Sequence, residues 1–255
     1  MNRTIEVHML PELVSPETLC DQTVVVIDVL RATTTITYAL AAGAKTVVPC
    51  ADVDQARKLA DELNEDSALL GGERGGVKIE GFDLGNSPSE YARETVAGRT
   101  VVFTTTNGTR AMAHCRDAKT VLIGAFANLA AICDHLRGVE RVHLLCSGTE
   151  RHVTREDVLL AGAIAARLID GDGSGQKQTW RLSDQARLAE QAWRLVESRL
   201  CDVSLAEQLR DSRGGRNVTA LGLDADIETA AIIDAFDLVP VLDLNAWQIN
   251  AANSE

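Results

Sequence analysis

The chain has 255 residues, of which 45% are hydrophobic and 24% are charged, so it is long enough for one large globular domain or two small lobes. Its formal net charge of −12 argues against non-specific binding to nucleic acid or to an anionic membrane surface, and no apolar run approaches the length of a membrane span. The first residues lack the apolar core of a secretory signal, and the six cysteines follow neither zinc nor disulfide spacing, which together predict a cytoplasmic, reduced protein.

Short apolar runs alternate with helical periodicity through the first half of the chain. The predicted elements are a strand over 23–28, a helix over 34–42, a strand over 45–49, a helix over 52–64 and a strand over 68–70. Gly43 ends the first helix, and Asp52 with Gln55 three residues later predicts a capped start for the second. Ser87 followed by Pro88 predicts a further helix start, since proline is favoured at the first helical position.

The second half repeats this alternation. Strands are predicted over 100–104, 120–123, 141–145 and 238–241, and helices from residue 109 and over 128–135, 155–170, 183–199, 204–211 and 224–234. Pro240 predicts an edge position for the last strand, because proline cannot donate to a sheet ladder. The pattern is typical of an α/β fold with a largely parallel or mixed sheet and helices on both faces.

The chain is predicted to form one catalytic domain over residues 1–245, followed by a C-terminal tail over 246–255. A glycine-rich loop at 171–176 is the best candidate for a boundary between two lobes, which would place the site in a cleft between them. The helices between 183 and 211 could pack against a second copy of the chain in a homodimer, although burial within the same chain would satisfy the same pattern.

Residues 71–88 (GGERGGVKIEGFDLGNSP) are the most informative segment, with six glycines among eighteen residues. They fit neither the helical nor the strand period, and glycine at this density lets a ligand approach the backbone closely. The segment follows neither the P-loop nor the dinucleotide-binding spacing. We therefore interpret it as one wall of a composite site for a phosphate and a metal ion.

Four strand-to-helix loops carry small hydroxyl or amide residues, at 28–35, 86–89, 104–109 and 146–149. In parallel α/β sheets ligands bind at the carboxyl ends of strands, where helix N-termini offer unpaired N–H groups to oxyanions. Each loop alone is an ordinary set of helix caps, but the four together with residues 71–88 predict an anion site. The candidate substrate-binding residues are Thr33, Asn86, Ser87, Thr106, Asn107, Gly108, Thr109, Ser147, Gly148 and Thr149.

Asp28 follows four apolar residues at the end of a predicted strand. A carboxylate there is either a capping acceptor, or a metal ligand or nucleophile, and we favour the functional interpretation because Arg31 can balance its charge. Glu73 and Arg74, in the glycine-rich segment, supply a second pair of opposite charges. These four residues are the catalytic candidates.

Other reactive residues support weaker hypotheses. Glu156 and Asp157 lie in the predicted first turn of a helix, where acids are favoured for structural reasons, and Thr154 precedes them in a capping arrangement. Cys146 invites comparison with cysteine-dependent phosphatases, but Arg151 follows at C-x4-R instead of C-x5-R. An inert, buried cysteine is therefore favoured over a nucleophile.

Several long motifs, in the same order, resemble the 2-phosphosulfolactate phosphatase family. They are VVVIDVLRATTTI at 24–36, the whole segment 71–88, TTTNGTRA at 104–111 and CSGT…REDVLLAGAI at 146–164. The resemblance implies a Mg²⁺-dependent phosphatase that converts 2-phospho-3-sulfolactate to 3-sulfolactate and inorganic phosphate, a step towards coenzyme M. The chain departs from the family pattern at Arg151 and Thr154, where glycine and serine are usual, and this bears on which anion fits.

With this resemblance, the candidate Mg²⁺ ligands are Asp28, Glu73, Glu156 and Asp157, and the arginines at 31 and 74 would hold phosphate or sulfonate. Either Asp28 attacks phosphorus to form an aspartyl-phosphate, or metal-activated water attacks. The predicted partner is a small anionic phosphoester. The alternatives are a phosphatase for another small phosphoester and a non-catalytic phosphoanion-binding protein.

Overall fold

The computed structural model describes residues 3–63, 68–171 and 179–252. The strands are β1 (Arg3–His8), β2 (Thr23–Ile27), β3 (Thr46–Pro49), β4 (Ala68–Arg74), β5 (Val77–Lys78), β6 (Thr100–Thr104), β7 (Thr120–Gly124), β8 (Arg141–Cys146), β9 (Trp180–Leu182), β10 (Val239–Asp243) and β11 (Gln248–Ala252). The α-helices are α1 (Pro16–Leu19), α2 (Ala32–Ala41), α3 (Val53–Glu62), α4 (Arg93–Val96), α5 (Gly108–His114), α6 (Leu129–His135), α7 (Arg155–Asp170), α8 (Asp184–Glu197), α9 (Leu205–Arg210), α10 (Arg213–Ala220) and α11 (Asp224–Ala230). Short 3₁₀ turns cover Pro11–Leu13, Pro88–Glu90, Phe126–Asn128 and Leu136–Gly138. Within the described ranges, no helix is long and apolar enough to cross a membrane.

The strands form one mixed sheet in the order β5-β4-β6-β3-β11-β10-β7-β2-β8-β1-β9. Two parallel groups, β4-β6-β3 and β7-β2-β8-β1-β9, are joined by the antiparallel pair β11 and β10. The predicted α/β class with a largely parallel or mixed sheet is confirmed. The predicted division into two lobes stays a prediction, since most of the proposed boundary loop, residues 172–176, lies outside the described ranges.

Helices cover both faces of the sheet, as the burial of β2 shows. Val24 and Val26 belong to a core cluster shared with α2 and α5, whereas Val25 and Ile27 belong to the opposite cluster, shared with α6, α7 and α8. All four side chains are fully buried. Because successive side chains of a strand point to opposite faces, a continuous apolar run is what a strand covered on both sides requires.

Sheet twist brings together the carboxyl ends of strands that lie far apart in the ladder. The antiparallel pair reverses the chain direction between the two parallel groups, so a flat sheet would place the ends of β6 and β2 on opposite edges. Five strand steps separate β6 from β2. A twist of roughly 20–25° per step rotates their directions by more than about 90°, and Gly108 after β6 lies against Asp28 after β2.

The C-terminal strands correct two predictions. Pro240 was predicted at a sheet edge, but β10 lies inside the sheet between β11 and β7. Strand β10 pairs with β7 only from Val241 onward, so Pro240 is not required to donate a backbone hydrogen bond to β7. Residues 246–255 were predicted as a tail, whereas Gln248–Ala252 form β11, which pairs with β10 and β3 and buries Ile249.

Most predicted elements occur within a few residues of their expected bounds. Asp52 caps α3 by accepting the Gln55 N–H at 2.8 Å, as its spacing predicts. Ser87 precedes a 3₁₀ turn, but its side chain makes no cap hydrogen bond there. The sequence did not predict β1, which pairs with β8 and β9 near one end of the sheet. It also predicted that the strand from residue 68 ends at residue 70, whereas β4 continues to Arg74 and pairs with β6 and β5.

Candidate active site

The loops after several strands and the helix α10 surround a cavity of about 340 Å³. It is lined by Asp28, Leu30, Arg31, Glu73, Gly75, Gly76, Asn86, Thr106, Asn107, Thr149, Glu150, Gly214, Asn217, Val218, Ala220 and Leu221. All four predicted strand-to-helix loops contribute to this wall, and so does the glycine-rich segment. A volume of this size suits a small ligand.

Asp28 is a buried carboxyl at the carboxyl end of β2 and opens onto the cavity. Two hydrogen bonds within the loop orient Asp28: its backbone N–H donates to Thr33 Oγ1 at 3.0 Å, and its Oδ1 accepts the Ala32 N–H at 3.4 Å. Burial, and next the negative charge of Glu73, raise the Asp28 pKa from 3.8 to about 7. A carboxyl poised near neutral pH is the state expected of a proton-transfer group or of a ligand awaiting a cation.

Glu73 closes the turn of the β4–β5 hairpin. Its Oε1 accepts the Thr106 N–H, and its Oε2 accepts the Gly76 N–H, both at 2.7 Å. The hairpin tip takes left-handed backbone at Gly75 (φ +59°) and Gly76 (φ +83°), which a side chain would strain. Glu73 thus joins the glycine-rich segment to the loop after β6, with its carboxylate at the cavity wall.

Arg31 is buried, with its guanidinium between two parts of the chain. Its Nη1 donates to Asp226 Oδ2 at 2.7 Å, and its Nη2 donates to the Gly76 carbonyl at 2.6 Å. Asp226, on α11, is also buried and accepts a short hydrogen bond from Ser87 Oγ. Ser87 therefore reaches the site through Asp226, and the sequence did not predict this aspartate.

Asn86 and Asn107 each carry a buried side-chain oxygen beside the cavity. Both residues line it, and the Oδ1 atom of each is buried without a hydrogen-bond partner. An unpaired buried polar atom costs about 1–3 kcal/mol, so such atoms commonly await a ligand, a water or an ion. The two loops that carry them were predicted from sequence to bind the anion.

Glu156 and Asp157 lie behind the cavity wall. Both carboxylate oxygens of Asp157 accept hydrogen bonds. Oδ1 accepts the Val29 N–H at 2.9 Å, and Oδ2 accepts the Gly148 N–H at 3.0 Å and the Thr154 hydroxyl at 3.1 Å. Burial, then the charge of Glu156, raise the Asp157 pKa well above its ordinary value. Asp157 thereby ties the loop after β2 to the loop after β8.

Glu156 is anchored at the start of α10. A Cβ on Gly214 would lie only 2.0 Å from Glu156 Oε1, so this glycine permits the close approach. Burial raises the Glu156 pKa, while hydrogen bonds from Ser212 and from the Gly214 backbone oppose the rise. Neither Glu156 nor Asp157 lines the cavity, and their assignment as metal ligands stays a prediction.

Several predicted binding residues serve the loops themselves. Thr109 Oγ1 donates to the Thr105 carbonyl at 2.8 Å, and Ser147 Oγ contacts Asp157 Oδ2 at 3.3 Å. Together with Thr33, these hydroxyls satisfy local backbone and carboxylate groups. Neither they nor Gly108 and Gly148 line the cavity, in contrast to Thr106 and Thr149.

Arg74 points away from the cavity. It donates to the Glu73 carbonyl at 2.7 Å and to Thr104 Oγ1 at 2.9 Å, because neighbouring residues of a strand face opposite sides. Arg151, in the loop that departs from the family pattern, pairs on the surface with Glu12. Of that loop only Thr149 and Glu150 reach the cavity, and Glu150 pairs with Arg213 at 2.6 Å.

Cys146 is fully buried, and burial raises its thiol pKa well above the ordinary value. The nucleophilic thiolate is therefore not available at neutral pH, which agrees with the inert cysteine predicted from its spacing to Arg151.

Helices α10 and α11 supply functional residues that sequence reasoning missed. Asn217, Val218 and Leu221 line the cavity, and Asp226 holds Arg31. The glycine pair at 214–215 between two arginines was a signal of close packing, but nothing in the local pattern links residues 213–226 to Asp28. Only their position in space does so.

The charges around the cavity bear on metal binding. Over residues 3–63, 68–171 and 179–252, no three Asp, Glu, His or Cys side chains are placed to hold a metal by themselves. Mg²⁺ typically takes one or two carboxylates and completes its shell with water and substrate phosphate. The Asp28 carboxyl and the unpaired oxygens of Asn86 and Asn107 are hard oxygen donors of the kind that Mg²⁺ prefers, so the residues present fit this ion.

Comparison with known proteins points to one family. Residues 8–245 match the family model described as 2-phosphosulpholactate phosphatase. A protein of Pseudothermotoga lettingae named probable 2-phosphosulfolactate phosphatase is 40% identical over 237 residues, covering 93% of this chain and 95% of the relative. Proteins of the same name from Thermotoga petrophila (39% identity; 87% and 89% covered) and Caldanaerobacter subterraneus subsp. tengcongensis (37%; 88% and 89%) are also similar.

Proposed function

The chain belongs to the 2-phosphosulpholactate phosphatase family and is a phosphoric monoester hydrolase, and from this premise we propose its substrate and its metal requirement. The proposed reaction is hydrolysis of 2-phospho-3-sulfolactate to 3-sulfolactate and inorganic phosphate, with Mg²⁺ bound, as in coenzyme M biosynthesis. The relatives named for this substrate match the chain over most of its length, which supports the substrate.

The charge of the cavity is the observation that supports a metal. Among the described lining residues, Asp28, Glu73 and Glu150 are acidic and Arg31 is the one basic side chain. Arg31 is paired with Asp226 and Glu150 with Arg213, which leaves the carboxyls of Asp28 and Glu73 without a cationic partner in the described part of the chain. A substrate with phosphate, sulfonate and carboxylate groups would meet net repulsion there. Bound Mg²⁺ would supply the missing positive charge and polarise the phosphoryl group.

Asp28, Asn86 and Asn107 would hold the ion, with water and substrate phosphate completing its shell. Glu73 keeps the Thr106 and Gly76 amides in place, so its role is to shape the wall and to add negative charge near Asp28. Arg31 lines the cavity and would position an anionic group of the substrate with its remaining N–H groups.

Asp28 can serve the chemistry in two ways. As a nucleophile its carboxylate would attack phosphorus and break the ester P–O bond, and water would then hydrolyse the aspartyl-phosphate. As a base it would take a proton from the attacking water. Acid quench followed by borohydride reduction separates these routes, because an aspartyl-phosphate is reduced to homoserine at position 28 and a free carboxylate is not.

The test of the proposed function is release of inorganic phosphate from 2-phosphosulfolactate, with Mg²⁺ titrated and a chelator as control. We expect turnover that needs Mg²⁺ and that falls at least roughly a hundredfold in Asp28→Asn, the scale of losing a central charged group. Asp61→Asn, an exposed site on α3, is the matched control and should behave as wild type. Turnover that is unaffected by chelation would refute the metal, and none on this substrate would refute its identity.

A second candidate, a phosphatase for another small phosphoester, is favoured by one observation. Glu150 adds a negative charge to the wall in the loop that departs from the family pattern, and its side chain is 67% exposed. A less anionic substrate would meet less repulsion there. A panel of phospho-hydroxy-acids with and without the sulfonate decides: higher kcat/KM without the sulfonate would favour the second candidate.

A further inference from the structure

We infer that Asp226 is a positioning residue for the phosphatase reaction, acting through Arg31. Asp226 lies on α11, 195 residues after Arg31, and does not line the cavity itself. The inference rests on the proposed function, since it needs Arg31 to bind an anionic group of the substrate. It assigns a task to a segment, residues 224–230, that no sequence motif connected with the site.

The geometry orients the guanidinium from two sides. Asp226 accepts from Nη1 at 2.7 Å and the Gly76 carbonyl accepts from Nη2 at 2.6 Å. A guanidinium has five N–H donors, so three remain for other acceptors, and the plane is fixed by the two that are used. Arg31 is 5% exposed and its partner 3% exposed, so water cannot substitute for this carboxylate.

Asp226 is in turn held by Ser87. The Ser87 hydroxyl donates to Oδ1, leaving Oδ2 for Arg31. Both carboxylate oxygens are therefore engaged, and the carboxylate cannot rotate without losing a bond. The network joins three segments of the wall: the loop after β2, the hairpin tip at Gly76 and the loop that carries Asn86.

Asp226 also sets how much positive charge a ligand meets. Its negative charge offsets that of Arg31, which weakens attraction of an anion while keeping the guanidinium in one orientation. Loss of the charge should therefore affect catalysis and binding differently. A merely structural residue would instead reduce stability, or reduce the amount of active enzyme, with the kinetic constants of the folded fraction unchanged.

The experiment is a double-mutant cycle of Asp226→Asn and Arg31→Lys. Steady-state assays give kcat and KM for each variant, and calorimetry gives its Kd for inorganic phosphate. We expect Asp226→Asn to lower kcat roughly 10- to 100-fold, as a misplaced binding group does, and to change the phosphate Kd by less than about threefold. In the Arg31→Lys background the same substitution should lower kcat less than about threefold. Asp224→Asn, on the same helix with its side chain 49% exposed, is the control and should keep wild-type kcat.

An unchanged kcat in Asp226→Asn, or an equal loss with and without Arg31, would overturn the inference. If Asp226→Asn does not fold, Ser87→Ala keeps the ion pair and removes only the second anchor, and should lower kcat roughly two- to fivefold. Turnover of 2-phosphosulfolactate by the wild-type enzyme is the separate test of the proposed function. No turnover in wild type overturns the proposed function and the inference with it, whereas wild-type turnover that Asp226→Asn retains overturns the inference alone.

Discussion

Replacing Asp28 with asparagine should stabilise the metal-free protein at alkaline pH while it removes activity. The side chains are nearly isosteric, and the amide oxygen can still accept the Ala32 N–H that Asp28 Oδ1 accepts. What changes is a buried charge close to that of Glu73. Removing a buried charge that repels its neighbour relieves both its desolvation and the repulsion.

The size of the effect follows from the pKa. The Asp28 pKa is raised from 3.8 to about 7, so the stability that its carboxyl contributes is present below about pH 4 and is lost as the pH rises through about 7. Each pH unit in that range changes the free energy of unfolding by about 1.4 kcal/mol. Between about pH 5 and pH 8.5 the advantage of Asp28→Asn over wild type should therefore grow by up to about 3 kcal/mol. Proton sharing with neighbouring acids makes this an upper limit.

Urea unfolding in chelator at about pH 5, 7 and 8.5 measures the effect, with phosphate release measured on the same samples. Asp61→Asn controls for a simple change of net charge and should show no growing advantage. A difference between Asp28→Asn and wild type that does not change with pH would refute the raised pKa. Retained turnover would refute the catalytic assignment of Asp28.

Three further outcomes are expected. In scanning calorimetry at about pH 8, Mg²⁺ should raise the melting temperature of wild type and leave that of Asp28→Asn unchanged, because a ligand stabilises only the state that binds it. Equal shifts in the two proteins would contradict Asp28 as a Mg²⁺ ligand. Glu150→Gln should lower KM for the sulfonated substrate roughly two- to fivefold in steady-state assays, since one exposed negative charge leaves the wall; an unchanged KM would exclude this residue from substrate selection. Gly162→Ala should lower the free energy of unfolding in urea by about 1–3 kcal/mol, because a Cβ there would lie 2.0 Å from the Ala189 carbonyl oxygen, where α7 packs against α8. Gly138 has open space around it, so Gly138→Ala should change the free energy of unfolding by less than about 0.5 kcal/mol. Equal effects of the two substitutions would contradict the packing.

Local sequence patterns predicted much of the secondary structure. The apolar run at 24–27 predicted a strand, which the structure buries on both faces, and Asp52 with Gln55 predicted a cap that the structure shows. Such features depend on residues a few positions apart, so the sequence alone can report them. By contrast, the place of β10 and β11 inside the sheet depends on pairing with β7 and β3, and no local rule for Pro240 could reveal it.

The same distinction holds at the site. The sequence by itself determined that Asp28, Asn86 and Asn107 stand in loops at strand ends, because glycine density and helix-start chemistry are local properties. Only the tertiary structure decided that Arg74, Glu156 and Asp157 lie outside the cavity wall. It also supplied Asp226 as the partner of Arg31 from 195 residues away. The physical reason is that a buried charge takes whichever partner the folded chain brings within hydrogen-bond distance, and twist and long-range packing decide which partner that is.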